Sequence, residues 1–369
     1  MTDGVTEGPR APTGTPRVLL LGSDELSREL AIALRRLGAQ VDEHPDAATD
    51  LIDRLRPDFV VTATPAVSPA TLEALEGRAG QGAVELVPNA RTVRLTNDRE
   101  ALRRLAADQL GLPTAPFWFV GSVDELRAVA AHGGYPMLVE SVSGAGERFV
   151  VSRPDEIDAA WHRVVGQDET PRVLAETVVE VEVCVTLLTI RTAGPGGPVT
   201  EFCSPIGHRR VEPDVLESWQ PQKMSPAALD AAKSIAARIV KALGGRGVFA
   251  VELMIHGDEV YFADISAVLP QSAWVTLRSQ RISAIEQQAR AILGLPVDAL
   301  MISPAAARSI RPADTAALNA ALAIPESDLR VFDRAPEPRR GVALATAPDV
   351  AAARDRARDA ATAVSEGRH

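Results

Sequence analysis

The sequence predicts an α/β protein: a small doubly wound domain first, a larger mixed region after it, and a C-terminal domain. Three observations lead there. RVLLL, beginning at Arg17, is a short apolar run followed by a glycine-containing turn and a helical pattern, which is how a parallel α/β sheet opens. RVLAETVV and VEVCVTLLTIRT are β-branched and alternate as antiparallel strands do. VFAVELMIHGDEVYFADIS reads as a hairpin closed at a glycine. The length of 369 residues exceeds one ordinary domain and points to two or three.

Each element follows from local pattern. GSDELSRELAIALRRLG places Leu26, Leu30, Ile32, Ala33 and Leu37 at helical spacing, with Gly38 as the stop. Between Gln40 and Phe59 there is room for one crossover only, so the first domain is small. LTNDREALRRLAADQLGLPTAPFWFV reads as one helix ended by Gly111 and Pro113, running into a strand. VDELRAVAAHGGYPMLVESVSGAGERFVV gives helix, Gly-Gly stop, strand, glycine-containing loop and strand, and Asp155 to Val165 reads as helix. SPAALDAAKSIAARIVKALGG is the clearest helix: Ser225 caps it, Pro226 suits its first turn and Gly244 ends it. In the hairpin, a loop of Gly257 to Glu259 sets Glu252 opposite Asp264.

Composition narrows the function. Net charge is −10, against the basic footprint of general nucleic-acid binding. No stretch reaches the roughly 18 apolar residues of a membrane span, and MTDGVTEGPRAPTGTP has no secretory pattern. The reading is a cytoplasmic protein with a disordered leader over residues 1–16. Cys184 and Cys203 read as free thiols. Only three of the 39 basic residues are lysine, Lys223, Lys233 and Lys241, and the last two sit on the solvated side of the clearest helix.

The chemistry-bearing candidates are few. Glu252 and Asp264 on one hairpin face are oxygen ligands suited to Mg²⁺, although a solvated or arginine-matched strand pair reads equally well. Glu25 follows the opening strand, where α/β sheets bind ligands, but a first-turn acid also simply suits the helix dipole. Arg334, Arg339 and Arg340 form a cluster able to clamp a phosphate. SVSGAGERF presents two glycines, a weak signal for anion binding.

RVLLLGSDELSREL, RLTNDREALRRLAADQLGLPTAPF, SPIGHRR, ESWQPQKMSP, the hairpin and GVALATA together resemble formate-dependent phosphoribosylglycinamide formyltransferase, an ATP-grasp enzyme family of purine biosynthesis. The resemblance is collinear from Arg17 to the C-terminal helix. It implies an ATP-grasp fold with a truncated N-terminal domain over residues 17–95, the ATP-grasp domain over 96–300 (small lobe at about 115–180) and a C-terminal domain over 301–369. It further implies ATP and Mg²⁺ as cofactors, formate and glycinamide ribonucleotide as substrates, and a homodimer. Carried over position by position, Arg99, Glu176 and Val179 lie on the nucleotide side, and Glu252 and Asp264 hold the metal. Glu25, Leu26, Arg334, Arg339 and Arg340 match the ribonucleotide site.

Departures from the family pattern gather at the reaction centre. Glu140 stands where the family has lysine, and Ala145 (or Glu147 in another register) replaces a second lysine in the shortened SGAGER loop. Cys184 takes the place of the acid expected on the nucleotide ribose. Val268, Pro270 and Gln271 replace an Arg, His and Asp, and Ala63 and Pro65 fill a stretch that carries substrate-binding glutamates. Losing one preorganised charge costs about 3–4 kcal/mol, so these changes together imply at least ~10⁴-fold lower activity. The expectation is a divergent paralogue with lost or greatly weakened catalysis that still binds a nucleotide or phosphorylated ligand. Two alternatives stand beside it: an active formyltransferase or related ligase using Arg148 as replacement cation, and a non-catalytic structural or partner-binding protein.

Overall fold

A computed structural model describes residues 14–45, 49–63, 67–80, 84–142, 148–166, 171–194, 197–212, 214–311, 315–332 and 340–366. The expected leader falls mostly outside these ranges, as do Pro65, Ala145, Glu147, Arg334 and Arg339.

Four short strands, β1 (Arg17–Leu21), β2 (Gln40–His44), β3 (Phe59–Thr62) and β4 (Glu85–Val87), form a parallel sheet in the order β2-β1-β3-β4. The apolar runs of β1 and β3 are buried, as strands covered on both faces require. The helix Glu25–Arg36 follows β1, and Asp24 caps it by accepting from the Ser27 amide at 2.7 Å. Its buried face is Leu30, Ala31, Ala33 and Leu34. Ile32 and Leu37, expected on that stripe, are exposed. Ile32 points to the far side of the helix, and Leu37 is already the capping residue beyond the last turn.

The single helix expected before Gly111 is broken. Ala90–Asn97 ends at Asp98, whose backbone is extended and whose carboxylate accepts from the Ala101 amide at 2.9 Å to start a second helix, Arg99–Arg104. That helix continues as a wider π turn, Leu105–Gln109, and Gly111 closes it at φ +55°. The break sets Arg99 in the first turn of its own helix.

A second, antiparallel sheet holds β5 (Phe117–Val120), β6 (Met137–Ser141), β7 (Phe149–Val151) and β8 (Val173–Thr177) in the order β5-β8-β6-β7. The helices Val123–Gly133 and Ile157–Val165 bury Leu126, Ala130, Ile157 and Ala160 against it.

The largest sheet has nine strands: β9 (Val183–Gly194), β10 (Gly197–Phe202), β11 (Ile206–Glu212), β12 (Val215–Gln220), β13 (Gly247–His256), β14 (Glu259–Ser266), β15 (Ala305–Ile310), β16 (Ser327–Phe332) and β17 (Arg340–Thr346). Its order is β14-β13-β9-β11-β12-β15-β17-β16, with β10 also on β9, so the C-terminal strands prolong the central sheet. The helix Pro226–Leu243 is capped by Ser225 and buries Ala232, Ile235, Ala236, Ile239 and Leu243 against Val251, Leu253 and Phe262 on one face. Val248 and Ala250 belong to the core on the other face. Among the described residues, no helix is long and apolar enough to cross a membrane.

Candidate functional site

The hairpin β13–β14 opposes Glu252 and Asp264. The turn differs from expectation: His256 pairs Glu259, leaving a two-residue loop with Gly257 at φ +57°. A two-residue turn alone would displace Asp264 by one position. The ladder shifts between Glu252 and Leu253, leaving Ala263 as the extra residue of a bulge, and this restores the pairing. Glu252 accepts a hydrogen bond from Thr186 Oγ1 at 2.8 Å and lies 2.9 Å from His208 Nε2. Asp264 accepts from the Ile265 amide at 2.8 Å. Its surface opens outward, yet enough protein surrounds the carboxyl to raise its pKa: burial is the main cause, Glu252 adds to it, and Arg99 and Arg103 oppose it.

Beside the hairpin stands a knot of charge. Glu140 of β6 is 4% exposed, and its two oxygens accept from Arg148 Nε at 2.5 Å and Arg99 at 2.9 Å. Burial pushes the Glu140 pKa up, but the bonds and charges of Arg148 and Arg99 outweigh it, so the carboxyl stays below its usual range. Glu176 of β8 is buried as well and accepts from Arg103 at 2.9 Å. Burial, with the charge of Glu140, holds Glu176 above the ordinary range despite Arg103.

A cleft of about 1670 Å³ runs from this region toward the C-terminal strands. Arg148, Cys184, His208, Glu252 and Gln271 line one part of it, and Glu25, Leu26 and Arg340 another. Glu25, Leu26, Glu252 and Arg340 thus meet in one cavity, whereas Arg99, Glu176 and Asp264 are not part of its lining. Val179, between β8 and β9, is half-buried and outside the lining. Gln271 begins the short 3-10 turn Gln271–Val275 and is exposed. Cys184 faces His208 across the ladder, and its thiol is raised by burial and then by the charge of Glu252.

Two residues that sequence reasoning passed over belong here. Arg103 lies one turn after Arg99, so the spacing of the two arginines was the available signal. His208 sat in the SPIGHRR block without an assigned role, and register alone brings it to Glu252. Arg148, expected as a replacement cation, spends its Nε on Glu140.

Comparison with known proteins places the chain in a family and a fold. The ATP-grasp domain family matches residues 105–285. The formate-dependent phosphoribosylglycinamide formyltransferase of Corynebacterium glutamicum is 43% identical, covering 96% of this chain and 95% of that protein. Its counterpart in Burkholderia pseudomallei is 42% identical over 96% of each. The structure of glycinamide-RNase-transformylase T from Mycobacterium tuberculosis superposes with a TM-score of 0.83 at 56% identity, covering 94% of this chain and 99% of that one. N5-carboxyaminoimidazole synthase from Aspergillus clavatus, in complex with ADP and 5-aminoimidazole ribonucleotide, matches at a TM-score of 0.81 and 21% identity, a likeness of fold alone. The chain therefore belongs to the formate-dependent phosphoribosylglycinamide formyltransferase family and has its ATP-grasp fold.

Proposed function

We propose that this chain binds a phosphorylated ribonucleotide in the cleft lined by Glu25, Leu26 and Arg340, with ATP-driven formyl transfer greatly weakened. The observation that carries the reading is Glu140. It is a buried carboxylate fixed between Arg99 and Arg148, where the family resemblance places a lysine. The cations nearest the expected nucleotide phosphates are thus already engaged by an internal anion. A phosphate oxygen about 4 Å from that carboxylate is repelled by about 4 kcal/mol at an effective dielectric near 20.

The residues present still suit a divalent cation. Glu252 and Asp264 face each other, and the raised pKa of Asp264 beside Glu252 is what a cation would relieve. Among the described residues no three His, Cys, Asp or Glu side chains are arranged to hold a metal ion together, His208 being a hydrogen-bond partner of Glu252, so Mg²⁺ would take its remaining oxygens from nucleotide and water. It would supply charge neutralisation at the phosphates. The chain's own part is to orient Glu252 through Thr186 and His208.

The test is ADP release with Mg-ATP, formate and glycinamide ribonucleotide. Negligible turnover in the native chain, raised at least tenfold by Glu140→Lys, is expected. Native turnover of about 1 s⁻¹, inside the ordinary enzyme range, would overturn the reading. A second reading, an active formyltransferase, is favoured by the retained Glu252–Asp264 pair and the full-length identity to the relatives. Under it, Arg148→Ala abolishes turnover that the native chain already has.

A further inference from the structure

The central sheet carries a second concentration of positive charge, on the face away from Glu252. Cross-strand register aligns Arg209 of β11, Glu217 of β12, Arg308 of β15 and Ala343 of β17 in one row. Partners in a row emerge on the same face, and neighbours along a strand on opposite faces. His208, Ser218 and Ala307 make the adjacent row, and His208 is the residue that reaches Glu252. The row of arginines therefore faces the other way, under the C-terminal helix Val350–Glu366.

Glu217 is nearly buried and fully used. It accepts from Arg209 Nε at 2.6 Å and from both Nε and Nη2 of Arg354 at 3.1 Å. Arg354 also stacks 4.0 Å from the ring centroid of Trp219. Arg308 stands next to Glu217 in the row, half-buried, and makes no hydrogen bond or ion pair among the described residues. Its other neighbour in the row is Ala343, a buried residue that offers no charge or hydrogen bond to the guanidinium. Arg311 does not add to the excess, because Asp214 holds it at 2.6 Å. Three guanidiniums thus gather around one carboxylate. A half-buried cation without a counter-charge is costly unless something anionic completes it. Arg209, Arg308 and Arg354 all line the cleft, together with Thr362 and Ser365 of the C-terminal helix, so this space is open to a solute.

We propose that Arg308, with Arg209 and Arg354, forms a second anion site that takes a phosphate group, within the same continuous cleft as Glu25, Leu26 and Arg340 but on the sheet face opposite His208. The guanidinium fork matches phosphate oxygens, and three guanidiniums against the Glu217 carboxylate, with Glu212 also on the cleft wall, leave net positive charge to meet a phosphate. The inference stands independently of whether formyl transfer is weakened.

The test uses the full chain carrying Arg340→Ala, so that phosphate binding beside Glu25 and Leu26 is suppressed. Calorimetric titration with inorganic phosphate is expected to show one site, and adding Arg308→Ala or Arg308→Gln to weaken it at least tenfold. Adenosine monophosphate in a parallel titration separates the sources: tighter binding with the same dependence on Arg308 assigns a phosphorylated small molecule, and equal binding assigns free phosphate. In phosphate-free buffer, Arg308→Ala should melt at or above the temperature of its parent, because it removes unpaired charge. No binding up to about 10 mM phosphate, affinity unchanged by loss of Arg308, or a lowered melting temperature in phosphate-free buffer would each overturn the proposal.

Discussion

Glu140 shows how one side chain ties stability to function. Its folded pKa is depressed below the usual glutamate value of 4.5, because Arg148 and Arg99 together outweigh burial. A depressed carboxylate stabilises the fold fully above the unfolded pKa and loses that contribution as pH falls through the folded one. Glu140→Gln is therefore expected to lower stability by about 1–3 kcal/mol at pH 7, read from urea unfolding, and the gap to the native chain should close as pH drops below 4.5. A gap constant with pH would mean that packing, not charge, makes the difference. This residue was legible in the sequence as an acid in an unexpected place, but its partners were not. Arg99 and Arg148 are 41 and 8 positions away, and only folding shows that both reach the same carboxylate. Arg308 left even less trace, because its isolation depends on what Glu217 has already accepted.

Among the elements, the hairpin was readable and the helix before Gly111 only partly so. Alternation fixed which hairpin residues share a face, and the pairing of Glu252 with Asp264 held because turn length and bulge compensate. That compensation is testable. Deleting Ala263 removes the bulge and leaves a regular ladder in which Asp264 still stands opposite Glu252. Any stabilisation of the native chain by Mg-ADP should then persist in a thermal-shift assay, and its loss would show that the bulge itself aims the carboxylate, while Gly257→Ala, at a positive-φ turn with open space around it, should cost only about 1 kcal/mol. The helix was misread because its apolar spacing continues through Asp98, whose side chain prefers to cap a new helix. The restarted helix carries Glu100, which accepts from Arg172 and Arg104 and so ties the helix to the segment leading into β8. Arg172 and Arg104 lower its pKa to about 2. The stabilisation is thus complete above about pH 4.5 and lost between there and pH 2. With solvent screening, Glu100→Gln should cost about 1 kcal/mol at pH 7 and progressively less toward pH 3 in urea titrations.

At the scale of the molecule, the parallel sheet must dock on the central sheet, or Glu25 and Leu26 would not share a cleft with Glu252 and Arg340. The join is built from several contacts. The helices Glu25–Arg36 and Ala284–Leu293 pack together, with Leu30, Ile285 and Ala289 in one core. The Gly244-Gly245 turn after the helix Pro226–Leu243 comes so close that a Cβ on Gly245 would lie 2.9 Å from Asn89 Nδ2. Arg246, the next residue, reaches Glu85 of β4 at 2.7 Å and lies over the Phe59 ring. The two charges are unequally placed: the Arg246 side chain is 9% exposed and that of Glu85 38%. Burial lowers the Arg246 pKa and raises that of Glu85, so each charge costs something to hold. Removing either partner should therefore have different consequences. Glu85→Gln strands a buried guanidinium and is expected to cost about 3 kcal/mol, whereas Arg246→Met leaves a carboxylate that still reaches water and should cost about 1 kcal/mol. The double variant Glu85→Leu, Arg246→Met should unfold within about 1 kcal/mol of the native chain, because apolar packing replaces a pair that pays its own desolvation. Urea midpoints of the three variants decide the matter. Equal losses in the single variants, with a double variant as weak as either one, would show that the ion pair itself, and not the shape around it, holds the two sheets in register.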